Sequence, residues 1–164
     1  MKLGEVIDIK VGMNLSRQKD KSNWQVYTNE DFANDLNGLA ICKDSKYVCT
    51  NQLMAHTISE KDIIYNFITS EASLVGASNS GKTISQNFAK ITFDNTKLDG
   101  AYLCFLLNEE EEVKRQKYVA MQGSVLKKLS PAIIKTFETK LPILDEQKVF
   151  WATFILIGYD DKRL

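Results

Sequence analysis

The apolar residues change their spacing once along this chain, between Phe93 and Leu98. That change sets what the sequence can build: short β-favouring runs come first and helical periodicity follows. Residues 3–11 (LGEVIDIKV) bring Val6, Ile7, Ile9 and Val11 together, and Gly12 stops them, as expected for a strand. Residues 58–65 pass from a polar turn into a buried strand ending Ile63-Ile64-Tyr65. Residues 67–77 and 83–93 are two further strand candidates, on either side of the turn Ser78-Asn79-Ser80-Gly81-Lys82. Residues 39–42 and 46–50 read as a hairpin across Lys43-Asp44-Ser45. Residues 13–37 are polar throughout and read as a long surface loop, with Trp24, Val26 and Tyr27 as a short strand or anchor. Loops of that length in compact domains are usually functional or mobile.

From Leu98 the pattern is helical. Leu98, Tyr102, Phe105, Leu106 and Val113 predict one helix to about Tyr118, with Glu110–Lys114 and Glu111–Arg115 as i,i+4 pairs. Gln122-Gly123-Ser124 breaks it. Ser130-Pro131 pairs a good N-cap with proline at the first helical position, opening a short helix to about Phe137. Leu141-Pro142-Ile143 is extended, because proline disfavours helix in the residue before it. A last helix then starts at Asp145 and runs to about Ile157.

A chain of 164 residues sets a prior of one domain, with 44% hydrophobic and 26% charged residues as in ordinary globular proteins. Cys42, Cys49 and Cys104 leave at least one thiol unpaired and match no C-x-x-C spacing, so reduced cysteines are expected. His56 is the one histidine, which excludes a His-rich metal site and leaves any catalytic triad dependent on it alone. The N-terminus lacks the apolar core of a signal peptide, and no run reaches the ~18 apolar residues of a membrane span. A cytoplasmic location, no membrane partner, no metal and no bound cofactor are the expectations.

Charge balances overall, with 21 Lys+Arg and 21 Asp+Glu, yet it is unevenly placed. Between residues 114 and 140, Lys114, Arg115, Lys117, Lys127, Lys128, Lys135 and Lys140 face a single acid, Glu138. A basic stretch interleaved with Gln, Ser and Tyr is what phosphate and base contacts require. Residues 76–83, Gly-Ala-Ser-Asn-Ser-Gly-Lys-Thr, also satisfy the phosphate-loop pattern G-x-x-x-x-G-K-[ST]. A small nucleotide-binding NTPase or kinase, with Lys82 on the phosphates and Thr83 on Mg²⁺, is therefore the alternative reading. Its context is poor. About 75 residues precede the loop, residues 83–93 suit a strand as well as a helix, and the strands left are too few for a central parallel sheet. A turn that uses Gly81 for its positive φ explains the same letters. A third reading is an interaction module whose apolar tail caps a partner.

In order, these landmarks resemble one target-recognition domain of the DNA-specificity (S) subunit of Type I restriction-modification systems. The opening residues 2–12 (KLGEVIDIKVG) are similar to the family's first strand and closing glycine. Residues 59–64 (SEKDII) and 87–91 (NFAKI) resemble later strands, and residues 98–108 (LDGAYLCFLLN) its "yL…yLL" helix. The most specific part is the tail: Gln122-Gly123-Ser124, Leu129-Ser130, then Leu141-Pro142-Ile143-Leu144-Asp145-Glu146-Gln147, similar to a "G-x…L-S" segment and an "I-P-x-P-x-x-E-Q" signature. Two departures stand out. A full S subunit has two recognition domains and long spacer helices, whereas 17 residues follow Gln147 here. Residues 149–157 are also apolar nearly all round, a helix that wants burial on several sides by self-docking or by pairing with a copy of itself.

The resemblance implies an α+β fold, a mixed curved sheet with flanking helices over residues 1–144, then a shortened conserved-region helix over 145–164. It implies a non-catalytic module that reads double-stranded DNA at a half-site. A methyltransferase (M) subunit carrying S-adenosylmethionine, and through it a motor-nuclease (R) subunit using ATP, would be directed there. Reading both halves of a split site would need a homodimer or pairing with another half S subunit. The expected DNA contacts are Lys114, Arg115, Lys117, Lys127 and Lys128 on phosphates, and Gln122, Gly123 and Ser124 on backbone or base edges. Asn79, Ser80, Lys82, Gln86 and Asn87 are expected on bases, and Arg17, Lys19 and Lys21 form a further basic group.

Overall fold

The computed structural model describes residues 1–15, 24–39, 47–48, 56–123, 125 and 128–161. The chain divides into two compact units, one of Met1–Asp8 with Phe93–Leu164 and one of Ile9–Thr92. The α+β class expected from the resemblance is what the chain adopts. Its four-stranded sheet has the order β1-β6-β4-β5, formed by β1 (Ile7–Val11), β4 (Ile63–Asn66), β5 (Glu71–Leu74) and β6 (Phe88–Phe93). β4 runs antiparallel to both neighbours, placing Ile63 opposite Leu74 and Ile91, and Asn66 opposite Glu71 and Phe88. Backbone bonds from Gly12 to Phe88 and from Asp94 to Val6 bracket an antiparallel β1–β6 pair. Parallel pairing occurs as isolated bridges, Met13 with Ser85 and Val26 with Thr83.

The unit of residues 9–92 centres on β4, all four of whose residues are buried. Such a strand reads as a continuous apolar run because both of its faces are covered. Tyr27, Phe32, Ile58, Ile64, Val75, Ile84 and Phe88 form one hydrophobic cluster. The segment read as a long loop holds the short strand expected near Trp24 and, beyond that reading, a helix. β2 (Trp24–Gln25) pairs antiparallel with β3 (Tyr47–Val48), and α1 spans Asn29–Leu36. A capping box starts α1: the Thr28 hydroxyl accepts from the Asp31 N–H at 3.1 Å, and the Thr28 N–H donates to the Asp31 carboxylate at 2.9 Å. Of the expected 39–50 hairpin, residues 40–46 and 49–50 lie outside the described residues.

In the other unit, residues 3–5 form a 3₁₀ turn rather than the start of a strand. They lie along residues 137–139, with Leu3 N–H donating to Phe137 C=O at 2.8 Å and Thr139 N–H to Met1 C=O at 2.9 Å. The single helix predicted from Leu98 is two helices, α2 (Gly100–Asn108) and α3 (Glu111–Gln122). Glu110 causes the break. Its backbone is extended, and its carboxylate accepts from the Val113 N–H at 2.7 Å, so it caps a new helix rather than continuing the old one. The ion pairs shift with it: Lys114 reaches Glu109 and Arg115 reaches Glu112, in place of Glu110 and Glu111. α4 (Pro131–Thr136) starts as read, with the Ser130 hydroxyl accepting from the Ile133 N–H. α5 spans Leu144–Asp161. No helix among the described residues is long and apolar enough to cross a membrane.

Candidate nucleic-acid interface

α3 carries Lys114, Arg115 and Lys117 of the basic stretch, and its phase decides which side chains reach solvent. Val113 and Lys117 are the buried positions, four residues apart on one face. The opposite face carries Arg115, Tyr118, Val119 and Gln122, at helical spacing. Tyr118 is 65% exposed and Val119 60%, large apolar surfaces left uncovered beside charged groups. Arg115 makes a two-pronged contact with Glu112, at 2.9 and 2.6 Å. Hydrogen bonding from Arg115 holds the Glu112 carboxyl below the usual carboxylate range, and Glu112 raises Arg115 in return. Lys114 lies 2.8 Å from Glu109, with both side chains about half exposed. Pairs this accessible are held weakly and exchange readily for other anions. Gln122, Gly123 and Lys128 are exposed, while Ser124 and Lys127 lie outside the described residues.

Lys117 is in a different position. It is 8% exposed, and its ammonium donates to the Leu107 carbonyl in the last turn of α2. There it satisfies a carbonyl that α2 leaves open and sits at the negative end of that helix. It joins α2 to α3 and is withdrawn from the surface on which it was expected. Gln116 is likewise engaged, exchanging two 2.8 Å hydrogen bonds with the backbone of Glu138.

In the unit of residues 9–92, the Gly76–Thr83 segment is built as a support. Residues Ala77–Asn79 form a 3₁₀ turn, and Gly81 takes φ +91° in open space. Asn79 is 1% exposed and donates to Asp35 at 2.9 Å; Lys82 is buried with its ammonium 3.2 Å from Asp31. Asp31 and Asp35, one turn apart on α1, thus hold the segment from beneath. Tyr27 also donates to Asp35, at 2.7 Å. Gly76 makes room at the contact, since a Cβ there would fall 2.6 Å from the Asp35 carboxylate and push it aside. Asn79 and Lys82, expected on bases, therefore serve the interior. Ser80 is exposed, and its hydroxyl accepts from the Glu60 N–H at 3.3 Å.

The same geometry overturns the phosphate-loop alternative. The amides such a loop would turn to phosphate are already spent: Asn79 on Gly76, Ser80 on Ala77, Gly81 on Ile58, Lys82 on Asn79 and Thr83 on Gln25. The lysine is buried on a carboxylate, and the segment leads into bridges and β6 instead of a helix. Gln86 and Asn87 are exposed on the turn just before β6. Arg17, Lys19 and Lys21 lie outside the described residues.

Other chemistry is sparse. Among the described residues no group of three or more His, Cys, Asp or Glu side chains is arranged to hold a metal. Cys104 is a buried free thiol, which burial pushes up to about 12, well away from a reactive thiolate. Burial, and then the charge of Lys10, lower the His56 pKa.

Tyr118 and Val119, exposed on the outer face of α3, were not among the contacts expected from the sequence. The signal available was the phase of α3: once Val113 is placed inside, both fall on the outer face with Arg115.

Residues 1–156 match the family model described as the Type I restriction modification DNA specificity domain. No curated protein sequence matches the chain. Among solved structures, the HsdS subunit from Thermoanaerobacter tengcongensis superposes with a TM-score of 0.64 at 17% identity, covering 98% of this chain and 37% of that one. A chain from a structure on complex assembly and conformational transition of the type I R-M system gives 0.65 at 16% identity, covering 98% and 38%. The Type-I restriction-modification S subunit from M. genitalium gives 0.51 at 12% identity, covering 99% and 38%. At such identities the likeness is one of fold, and this chain spans well under half the length of each of those chains. The match across residues 1–156 decides the family: the chain belongs to the Type I restriction modification DNA specificity domains.

Proposed function

We propose that this chain reads a short half-site in double-stranded DNA and directs a Type I methyltransferase subunit, and through it the motor-nuclease subunit, to that site. The family match over residues 1–156 is the observation that carries the reading. The exposed face of α3 supports it. Arg115 and Lys114 supply cations held only by exchangeable surface pairs, and Gln122 supplies an amide. Tyr118 supplies a hydroxyl able to bond a phosphate or sugar oxygen of the duplex. Lys128, Gly123 and Ser80 extend the set of exposed contacts, with Gln86 and Asn87 as base readers. Ser124, Lys127, Arg17, Lys19 and Lys21 enter the proposal on charge and polarity alone.

In this reading the chain does no chemistry itself. S-adenosylmethionine belongs to the methyltransferase subunit and ATP to the motor-nuclease subunit. Residues 1–144 form the recognition domain, and residues 145–164 the helical element that follows it. A second half-site is read by a second copy or by another S domain. The test is affinity capture of tagged protein from its own host, read by mass spectrometry. The expected result is near-stoichiometric recovery of an adenine methyltransferase subunit, and binding of the captured complex to duplex DNA. Failure to recover any methyltransferase, together with no DNA binding, overturns the reading.

A further inference from the structure

The hairpin turn between β4 and β5 ends in an isoleucine that the fold holds out to solvent. Ile68 is 59% exposed, and its neighbour Thr69 is exposed as well. The turn is nonetheless stiff. Asn66, 1% exposed, accepts on its side-chain oxygen from the Ile68 N–H at 2.9 Å and the Thr69 N–H at 3.4 Å. The Asn66 side-chain amide donates to Asn29 at 3.2 Å, and the Asn66 backbone carbonyl accepts from the Ser70 N–H at 2.8 Å. Ser70 takes the left-handed φ of 58° that closes the turn. A buried amide is thus committed to fixing a tip whose largest side chain buries little of itself.

A second stiff turn lies against the first. Asn87 C=O accepts from the Phe67 N–H at 3.0 Å, so the residue before Ile68 is bonded directly to the Gln86–Asn87 turn. On its other side that turn is pinned by Gln86 N–H donating to Met13 C=O at 2.9 Å. Gly12 permits the approach, because a Cβ there would lie 2.1 Å from the Ser85 carbonyl oxygen. Gln86 and Asn87 are exposed, so two amide side chains stand on a hydrogen-bonded turn whose backbone is joined to the residue before Ile68.

We propose that Ile68, with Gln86 and Asn87, reads an A·T base pair in the major groove. A side-chain amide both accepts from adenine N6 and donates to N7, and the thymine of the same pair presents a methyl group that favours apolar contact. Preorganised backbones make such contacts without a loss of loop entropy on binding. This inference rests on the DNA-reading function proposed above, and it adds Ile68 as the residue that senses the methyl.

The experiment starts with selection of bound sequences from a randomised duplex by the full chain. Affinity is then measured on the selected duplex and on versions with uracil replacing thymine, one position at a time. Uracil removes only the methyl. At one A·T position the wild-type chain is expected to lose about fourfold in affinity, the value of one buried methyl group. Ile68→Ala is expected to bind the thymine and uracil duplexes equally, whereas Ile68→Val keeps the difference. Gln86→Ala or Asn87→Ala is expected to relax selection at that same pair by about tenfold or more. If Ile68→Ala selects the wild-type sequence and keeps the uracil penalty, the inference fails while DNA reading stands. If the wild-type chain enriches no sequence, this inference fails, while the DNA-reading function stands or falls with the captured complex.

Discussion

The side-chain oxygen of Gln147 accepts the backbone N–H of Asp99 at 2.9 Å, joining residues 48 apart in sequence. The Gln147 amide nitrogen donates to Lys97 C=O and Pro142 C=O, each at 2.9 Å. One fully buried side chain therefore ties the first turn of α5 to the extended segment before it and to the N-cap of α2. Gln147→Ala leaves three backbone groups short of a partner, at about 1–3 kcal/mol for each group that stays buried and unsatisfied. Gln147→Glu is expected to lose more, since an ionised carboxylate has no N–H to offer two carbonyls and is costly to bury. Urea denaturation midpoints should rank wild type above the alanine variant and that variant above Gln147→Glu. Equal midpoints for all three would show that water replaces the side chain.

The ion pair of Lys82 with Asp31 gives a second expectation. Both side chains are less than one-tenth exposed, so removing one partner strands the other charge. Lys82→Ala should cost about 3–5 kcal/mol of folding stability, against less than about 1 kcal/mol for Lys114→Ala at the surface. Adding Mg-ATP should leave the wild-type melting temperature unchanged. A melting temperature that rises with Mg-ATP, and fails to rise in Lys82→Ala, would restore the phosphate-loop reading.

Parts of this fold were legible because their signals are local. Ser130-Pro131 starts α4 by its own chemistry, and the apolar run Ile63-Ile64-Tyr65 is a buried strand whatever surrounds it. α1 was hidden because its strongest stabilisers come from far along the chain. Its sequence, NEDFANDL, is rich in weak helix formers, and it is held by its capping box and by Lys82, Asn79 and Tyr27 on its two aspartates. The Thr28-x-x-Asp31 spacing was the one local clue. The basic stretch of the candidate site was legible, but which of its cations reach solvent was not. Charge alone cannot separate Lys117 from Lys114; the phase set by Val113 can, and it puts Lys117 inside. In residues 76–83 the turn at Gly81 was legible from the letters alone, whereas the role of Lys82 was not, since it is fixed by an aspartate outside the motif.

Cys104 supplies a chemical check on the packing of α2. It is 7% exposed, and burial raises its thiol from 9.0 to about 12. A thiol raised on folding keeps its proton to higher pH than in the unfolded chain. Its contribution to stability is therefore full below about pH 9 and is lost as pH rises towards 12. Iodoacetamide at pH 8 should leave the Cys104 peptide unmodified in the native protein and alkylate it in urea, as read by peptide mass mapping. Rapid native labelling would mean that α2 opens locally at low cost.

The salt dependence of DNA binding separates the surface lysines from the buried one. Each phosphate contact neutralised by a cation contributes about 0.9 to the slope of log affinity against log salt concentration. Lys114→Ala and Arg115→Ala should each flatten that slope by roughly this amount, and the double change Lys127→Ala with Lys128→Ala by about twice it, at every DNA sequence tested. Lys117→Met should lower the denaturation midpoint, because it uncaps the Leu107 carbonyl, and should leave the slope as in wild type. The two readouts move in opposite patterns, which a general loss of folding cannot imitate. A slope unchanged in Lys114→Ala, Arg115→Ala and the double variant would remove α3 and the segment after it from the DNA interface. A slope flattened by Lys117→Met alone would mean that α2 and α3 separate on binding and release the lysine to a phosphate.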